Sequence, residues 1–247
     1  MASNDQPSNL HLPPNQNNQI LSALPPTDYE RLSPHLERVE LSFGDVLQEM
    51  REPIDYVYFP VGALISLMSP VNDHAIEFSL VGREGLVGIP ALLGGESTIT
   101  RAVVQIAAAA IRIDAQVLKA EFMRGEGLHQ QVLFYLQWVL TQVTQNAACQ
   151  AHHLIEPRLA RWLLTIHEQL QRDDLQLTQQ FIAELLNTRR ATITQAAGHL
   201  QQAGLIQYSR GVITIVDQAG LEECACECYA LLREERRRLR AMSQSTP

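Results

Sequence analysis

Residues 177–206 read LTQQFIAELLNTRRATITQAAGHLQQAGLI, and this stretch decides the fold of the C-terminal part of the chain. Apolar residues recur at intervals of three and four, an Asn-Thr-Arg-Arg break interrupts them, and the same period then resumes. That period is typical of amphipathic helices. The stretch therefore predicts two short helices joined by a polar corner.

The residues around the break predict how the two helices begin and end. Thr178 suits the cap of the first helix and Thr188 that of the second, because a threonine oxygen accepts a hydrogen bond from a free backbone amide. Asn187 suits the corner, since asparagine tolerates a left-handed backbone. The apolar face predicted to hold the helices together comprises Ile182, Ala183, Leu185, Leu186, Ile193, Ala197 and Leu200.

The second helix is predicted to point polar side chains outward over its first two turns. In a helix-turn-helix, the second helix enters the major groove of DNA by its N-terminal end. Arginine pairs bidentately with guanine, and glutamine recognises adenine. The predicted outward face comprises Arg189, Arg190, Thr192, Thr194 and Gln195. A plain helical hairpin with solvated arginines is the alternative.

The residues that flank the two helices predict a hairpin after them and a turn before them. Residues 203–217, AGLIQYSRGVITIVD, contain two alternating runs around Ser209, Arg210 and Gly211. This pattern predicts a β-hairpin, or wing, whose tip offers Arg210 to a DNA phosphate. The short DDLQ segment, residues 173–176, predicts a turn.

The first half of the chain predicts a different architecture. Residues 1–17 are rich in Asn, Gln, Pro and Ser, which predicts a disordered tail. From about residue 36 to Ile113, apolar and polar residues alternate between Gly- and Pro-containing turns. Several short strands at regular spacing indicate an antiparallel sandwich or barrel.

Residues 127–155 predict one long helix that is apolar on more than one side, and Pro157 predicts the start of another helix after a hinge. A helix with two apolar stripes needs two partners. The β-domain covers one stripe, and a second copy of the chain covers the other, as in a coiled coil. The alternative is a helix packed on its own domain alone. One stripe contains Leu133, Trp138 and Leu140. The other, the predicted dimer interface, comprises Val132, Leu136, Val139, Val143 and Ala147.

Charge is distributed unevenly along the chain. The net charge is −8, yet residues 1–149 hold 8 basic and 16 acidic residues, whereas residues 150–247 hold 11 of each. The relatively cationic C-terminal part is the one predicted to meet DNA. No run of about 18 apolar residues is present, and the polar N-terminus lacks an apolar core. We therefore expect a cytoplasmic protein with reduced thiols and no membrane partner.

With these features together, the chain resembles the Crp/Fnr family of bacterial transcription regulators over about residues 18–240. The resemblance implies an α+β fold with an antiparallel, jelly-roll-like β-roll of the cyclic-nucleotide-binding type, a dimerisation helix and a winged helix-turn-helix. The predicted segments are a tail (1–17), a sensor domain (18–126), the dimerisation helix with its hinge (127–156) and a DNA-binding domain (157–247).

The resemblance also implies partners and DNA-reading residues. The family's reading positions correspond to Arg190, Ala191 and Gln195, with Thr178 and Gln180 near phosphates. Relatives often carry glutamate where this chain has Ala191, so their preferred DNA sequence does not transfer. The implied partners are double-stranded DNA and a second copy of the chain, with RNA polymerase as a further one.

The family's nucleotide pocket is altered in this sequence. In relatives, a Gly-Glu pair holds the ribose hydroxyl, and an Arg-Ser or Arg-Thr pair grips the cyclic phosphate. Gly88 fits, but Ile89 replaces the glutamate and cannot accept a hydrogen bond, and the second pair is the reversed Thr100-Arg101. We expect a regulator that does not respond to a cyclic nucleotide. A cyclic-nucleotide-responsive regulator, or a ligand-binding module that acts through protein contacts, are the alternatives.

The remaining motifs indicate neither catalysis nor a cofactor. The HExxH, GxSxG and GKS/T patterns are all missing, which argues against an enzyme. Cys224, Cys226 and Cys228 form a C-A-C-E-C run, but on one helix only the first and last share a face. Structural zinc prefers paired clusters. We expect buried small side chains and no metal, with a metal or redox role as the alternative.

Overall fold

The computed structural model describes residues 18–71, 74–209 and 211–245. The predicted tail, residues 1–17, and Arg210 at the hairpin tip lie outside these ranges. The described residues form the predicted α+β fold, with an N-terminal antiparallel β-roll, one long helix and a C-terminal helical part that contains a small sheet.

The β-roll consists of two antiparallel sheets that share one apolar core. Its strands are β1 (Glu37–Leu41), β2 (Val46–Gln48), β3 (Tyr56–Pro60), β4 (Leu64–Val71), β5 (His74–Val81), β6 (Arg101–Ile106) and β7 (Ala108–Asp114). One sheet has the order β1-β7-β3 and the other β2-β6-β4-β5. Alternation sends Val57 and Phe59 of the first sheet, and Ile65 and Val104 of the second, into the core, where all four are fully buried.

Short helices accompany the β-roll, and a buried asparagine secures the first of them. They are α1 (Gln19–Ser22), α2 (Pro26–Leu32), α3 (Ile89–Leu92) and α4 (Ala115–Phe122), with a 3₁₀ turn at Ser33–His35. Asn18 accepts hydrogen bonds from the amides of Ile20 and Leu21 and donates to the carbonyls of Pro60 (3.0 Å) and Gly85 (2.8 Å). One side chain thus caps α1 and joins it to the end of β3 and to the loop that follows β5.

The long helix α5 (Gly127–His152) leads into the C-terminal part. That part consists of α6 (Ile155–Leu170), β8 (Asp174–Gln176), α7 (Gln179–Leu185), α8 (Arg190–Gln202), β9 (Ile206–Ser209), β10 (Val212–Ile215), α9 (Gln218–Cys224) and α10 (Cys228–Ser245). Its core contains Leu163 of α6, Ile182 of α7, Ile193 of α8 and Ile213 of β10, each fully buried. The sheet has the order β8-β10-β9.

Two local predictions for this region are wrong. Residues 173–176 are not a turn, because they contain β8, which pairs with β10 and buries Leu175. A three-residue strand is too short to show alternation. Helix α6 begins at Ile155 rather than at Pro157, which lies in its first turn, where its missing amide hydrogen costs nothing. The break between α5 and α6 accordingly falls at His153 and Leu154.

Helix α5 is covered on two faces within the protomer. Val132 and Tyr135 are buried in the β-roll core. Helix α10 runs antiparallel along another face, with Gln145 Nε2 of α5 3.0 Å from Cys228 Sγ and Gln131 Nε2 3.1 Å from the carbonyl of Ser243. Among the described residues, no helix is both long and apolar enough to cross a bilayer.

Glu77 is a buried carboxylate where the β-roll meets the C-terminal part. Ser66 Oγ donates a hydrogen bond to Glu77 Oε2. Loss of hydration raises the pKa of Glu77 to about 7, and the Ser66 hydrogen bond and the charge of Arg161 act against that rise. Since Glu77 belongs to β5 and Arg161 to α6, both parts of the chain contribute to the surroundings of this carboxylate.

We expect Glu77→Gln to make stability less dependent on pH. The folded state favours the protonated carboxyl, so the contribution of Glu77 to stability is full below about pH 4.5 and is lost as the pH rises through about 7. The loss is at most about 3 kcal/mol. Urea unfolding at about pH 5 and about pH 8 measures the difference in free energy of unfolding, which should be smaller in the variant.

The matched control is Glu52→Gln, which removes a carboxylate at an exposed position. If Glu77→Gln and wild type show the same difference between the two pH values, the pKa of Glu77 is not raised in the folded state.

Candidate nucleic-acid interface

Helices α7 and α8 pack against each other through the apolar face that the sequence predicts. Ile182 and Ala183 of α7, and Ile193 and Ala197 of α8, are all at most 2% exposed. The alanines allow the two helices to approach closely. Leu185, Leu186 and Leu200 are buried in the same core, so the predicted inward face is confirmed.

The corner between the helices has the predicted left-handed residue. Asn187 has φ 48°, a backbone conformation that asparagine tolerates better than most residues. The preceding carbonyl, of Leu186, accepts a 2.7 Å hydrogen bond from Arg158 of α6, and the amide of Thr188 donates to the carbonyl of Ala183. The corner is therefore held from both sides.

Of the two predicted helix caps, one is confirmed and one is wrong. The Thr178 side chain accepts a hydrogen bond from the amide of Phe181 at 3.2 Å and caps α7. Thr188 does not cap α8, because the helix starts one residue later than predicted, with Arg189 at the N-cap position and no side-chain cap. The first amides of α8 are thus left without a side-chain partner from the cap residue.

The outward face of α8 is polar and accessible. Arg189, Arg190, Ala191, Thr194 and Gln195 are exposed, and Thr192 is half-buried. Within the part of the chain that the structure describes, neither arginine has an ion-pair partner. Two guanidinium groups therefore lie at the N-terminal, positive end of the helix dipole, and their N–H groups are available to bind another molecule.

Side chains of α7 support this face, and one of these contacts was not predicted. Thr194 Oγ1 donates to Gln179 Oε1 at 2.6 Å, which links the first turns of the two helices. Gln180, predicted near phosphates, is exposed and donates to Glu184 at 2.7 Å. No pattern in the sequence distinguishes Gln179 from Gln180, because both are polar and adjacent.

The predicted hairpin is present beside the helices. Strands β9 and β10 pair antiparallel, with Ser209 opposite Val212, and Gly211 has φ 82° at the turn. Ser209 is exposed at the end of β9. Since β8 adds a third strand to the same sheet, the wing is anchored to the segment that leads into α7.

An aromatic contact joins the β-roll to the helix-turn-helix. The ring of Phe43, from the turn between β1 and β2, lies edge-on to Phe181 of α7, with centroids 6.3 Å apart, and Phe181 in turn contacts Trp162. Phe43 is nevertheless 69% exposed. An isolated Phe in a turn gives no signal of such a contact in the sequence.

The residues that match the family's nucleotide pocket are engaged within the protomer. Gly88 has φ 110° and precedes α3, whose first residue, Ile89, packs against the β-roll core. Arg101 forms a 2.9 Å ion pair with Glu49, and Thr100 Oγ1 lies 3.1 Å from Thr98 Oγ1. The arginine available to an anion is thus already paired with a carboxylate.

A cavity of about 520 Å³ lies elsewhere, where α1, α5 and α10 meet. Arg83, Tyr135, Trp138 and Arg236 are among the residues that line it. Its position could not be predicted, because α10 lines one wall and the sequence does not show that α10 packs along α5.

The third face of α5 is open and has heptad spacing. Its residues follow at intervals of three and four, and they are Leu133, Leu136, Leu140, Val143 and Ala147. Leu140 is 68% exposed and Leu133 43%. The assignment of the two stripes is corrected here. Val132, predicted at the interface, is fully buried within the chain and is not accessible to a partner, whereas Leu133 and Leu140, assigned to the other stripe, are exposed. Leu136 and Val139 are both half-buried against the β-roll core, so each is only partly accessible to a partner.

A helix-turn-helix followed by a β-hairpin defines the class of winged helix-turn-helix DNA-binding proteins. Residues 157–224 match the family model of the Crp-like helix-turn-helix domain. The predicted resemblance to the Crp/Fnr family is thereby confirmed for this domain, and solved structures of that family share the fold of the chain. No curated protein sequence matches the chain.

Solved structures share the fold at low sequence identity. A Crp/Fnr-family transcriptional regulator from Eubacterium rectale is 16% identical, covers 83% of this chain and 96% of its own, and has a TM-score of 0.66. FixK2 from Bradyrhizobium japonicum is 14% identical, covers 77% of this chain and 98% of its own, and has a TM-score of 0.67. A Crp/Fnr-family regulator from Thermus thermophilus is 24% identical, covers 76% of this chain and 98% of its own, and has a TM-score of 0.62.

Proposed function

We propose that this chain is a transcription regulator that binds double-stranded DNA as a homodimer. The observation that carries the proposal is the pair Arg189 and Arg190, exposed at the start of α8 and without ion-pair partners among the described residues, while the opposite face of the helix is buried. Such free guanidinium groups match the acceptors of base edges and phosphates.

The proposed contacts divide into base-reading and phosphate-binding groups. In the major groove, Arg190 and Gln195 face base edges, and the methyl group of Ala191 suits contact with a thymine methyl. Thr178 and Gln180, at the start of α7, face the phosphate backbone. Arg210, which the sequence places between the two strands of the wing, is proposed to bind a further phosphate.

The proposed dimer forms through the open face of α5. Two copies of a heptad stripe bury each other in a parallel coiled coil, which places the two α8 helices about 34 Å apart on one side of the duplex. An approximately palindromic operator follows. In this arrangement residues 18–126 are the sensor domain, 127–156 the dimerisation helix and hinge, and 157–247 the DNA-binding domain. The function implies a cytoplasmic location and, for activation, contact with RNA polymerase.

We further propose that the regulator does not respond to cyclic AMP or cyclic GMP. Ile89 offers no acceptor for a ribose hydroxyl, and its side chain packs against the β-roll core instead. Arg101 would have to leave Glu49 to bind a phosphate. A pocket that lacks one hydrogen bond and must break an ion pair loses most of its affinity.

Isothermal titration calorimetry with each cyclic nucleotide should therefore show no saturable heat up to about millimolar ligand, the range in which weak sites of about −4 kcal/mol are detected. The control is a cyclic-nucleotide-binding protein titrated under the same conditions. Saturable binding at micromolar concentration would contradict this part of the proposal and favour a cyclic-nucleotide-responsive regulator.

We expect Arg190→Ala to weaken operator binding by about 1–3 kcal/mol per half-site and to relax preference at one base pair, because a bidentate contact to a base is lost. Fluorescence anisotropy at fixed salt, with an operator identified by genome-wide footprinting and with a random duplex, measures both effects. Arg237→Ala, which removes an exposed arginine of α10, is the matched control. Equal losses on both duplexes would show that Arg190 contacts phosphate alone.

We expect Leu140→Glu to convert the dimer to a monomer, because a carboxylate on the open face of α5 would be buried against its copy. Sedimentation velocity of the full chain at micromolar concentration gives the oligomeric state. Leu93→Glu, at another exposed leucine in the β-roll, should leave the dimer intact. A monomeric wild type at these concentrations would contradict the proposed interface.

A further inference from the structure

Four potential metal ligands converge where the end of α5 meets the start of α10. Cys149 and His153 lie four residues apart at the end of α5, and Cys226 and Cys228 flank Glu227 at the junction of α9 and α10. The three sulfur atoms and one histidine nitrogen all lie within 4.8 Å of one another. Two sequence-distant segments thus direct one ligand set to a single point.

The C-A-C-E-C run does not form one helix, which corrects the sequence-based interpretation. Helix α9 ends at Cys224, and Ala225 is extended with φ −70° and ψ 150° before α10 starts at Cys228. This break turns Cys226 and Cys228 inward, to 6% and 1% exposure, and leaves Cys224 exposed. The pairing of Cys224 with Cys228 on one helix face is therefore wrong.

The distances fit one tetrahedral ion. Cys149 Sγ lies 3.6 Å from Cys226 Sγ, and Cys228 Sγ lies 3.5 Å from His153 Nδ1. Metal bonds of about 2.0–2.3 Å in a tetrahedron place neighbouring ligand atoms about 3.3–3.8 Å apart, and both distances fall within this range. An iron–sulfur cluster needs ligands spread around several iron atoms, so a set this compact favours a single ion.

The surroundings of the cluster are those of a metal site. His153 Nε2 lies 3.1 Å from a carboxylate oxygen of Glu227, so the carboxylate holds the ring with Nδ1 facing the sulfurs. Gln145 Nε2 donates to Cys228 Sγ at 3.0 Å. The guanidinium group of Arg161 is close enough for its charge to act on Cys149, and it would balance the net negative charge of three thiolates around a divalent cation.

We propose that Cys149, His153, Cys226 and Cys228 bind one Zn²⁺ ion, which fastens the start of α10 to the end of the dimerisation helix. Three cysteines and one histidine are a common ligand set for structural zinc. Binding would replace three thiol protons, which pass to solvent. The ion would sit at the break between α5 and α6, because its ligand His153 belongs to that break, and it would hold α10 along α5.

Mass spectrometric metal analysis of the full chain tests the proposal directly. The protein is prepared without a polyhistidine tag and with a reductant present, and it should contain one equivalent of zinc. Cys149→Ser, Cys226→Ser and Cys228→Ser should each lose most of it. Cys224→Ser is the matched control and should keep it, and His153→Cys should also keep it because four ligands remain.

Cobalt substitution of the wild-type chain gives a second, spectroscopic measurement of the site, which does not depend on the folding of a variant. Tetrahedral Co²⁺ bound to thiolates should show intense visible absorption and sulfur charge-transfer bands. Limited trypsin digestion, before and after chelation, reports on the arginine-rich α10, which should be cut faster once zinc is removed.

Several outcomes would overturn the proposal. One is a wild type that holds no zinc even after incubation with Zn²⁺, and another is equal zinc in the wild type and in the Cys149→Ser and Cys226→Ser variants. A brown protein that contains iron and sulfide would also contradict it. So would a disulfide between Cys149 and Cys226 under reducing conditions. Since none of these measurements involves DNA, their results are independent of the proposed function.

Discussion

The burial of α5 is the constraint on which the arrangement of the protomer depends. This helix has 26 residues and carries apolar side chains in three directions, so no single neighbour covers it. The β-roll takes the face of Val132 and Tyr135, and α10 takes a second face. The third face, with Leu140 at its centre, stays open. A helix that is apolar all round is stable only when each face finds a partner.

The contacts of α5 also bear on how a change in the β-roll would be transmitted to the helix-turn-helix. In this chain the residues of the family's nucleotide pocket are engaged internally, through the packing of Ile89 and the ion pair between Arg101 and Glu49. The cavity and the four-ligand cluster both lie instead along α10. The cavity and the cluster therefore both lie at the contact between α5 and the C-terminal helix, away from that pocket.

Local sequence rules predicted the parts of the fold that local physics determines. The left-handed Asn187, the Thr178 cap and the inward residues of α7 and α8 depend on the spacing of neighbours, and all were predicted. Features that need distant segments were missed. β8 has one buried residue and no visible period, and Val132 differs from Leu140 only in which neighbour packs on it.

The same dependence on distant segments explains why the arrangement of the cysteines was not predicted from the sequence. On a continuous helix the C-A-C-E-C run points its thiols in different directions, and only the break at Ala225 reorients them. Neither that break nor the approach of Cys149, 77 positions away from Cys226, has a local signal in the sequence. The exposure of Arg189, Arg190 and Gln195 was easier to predict, because they lie on one short helix whose buried face is regular.

The hydrogen bond from Arg158 to the carbonyl of Leu186 has a mechanical consequence. Arg158 is in the first turn of α6, just after the break that follows α5, and Leu186 is at the corner between α7 and α8. The bond ties the beginning of one helix to the bend between two others across 28 positions of chain. Through this bond, a small rotation of α6 at that break would move the corner and α8 together with it, as one rigid unit.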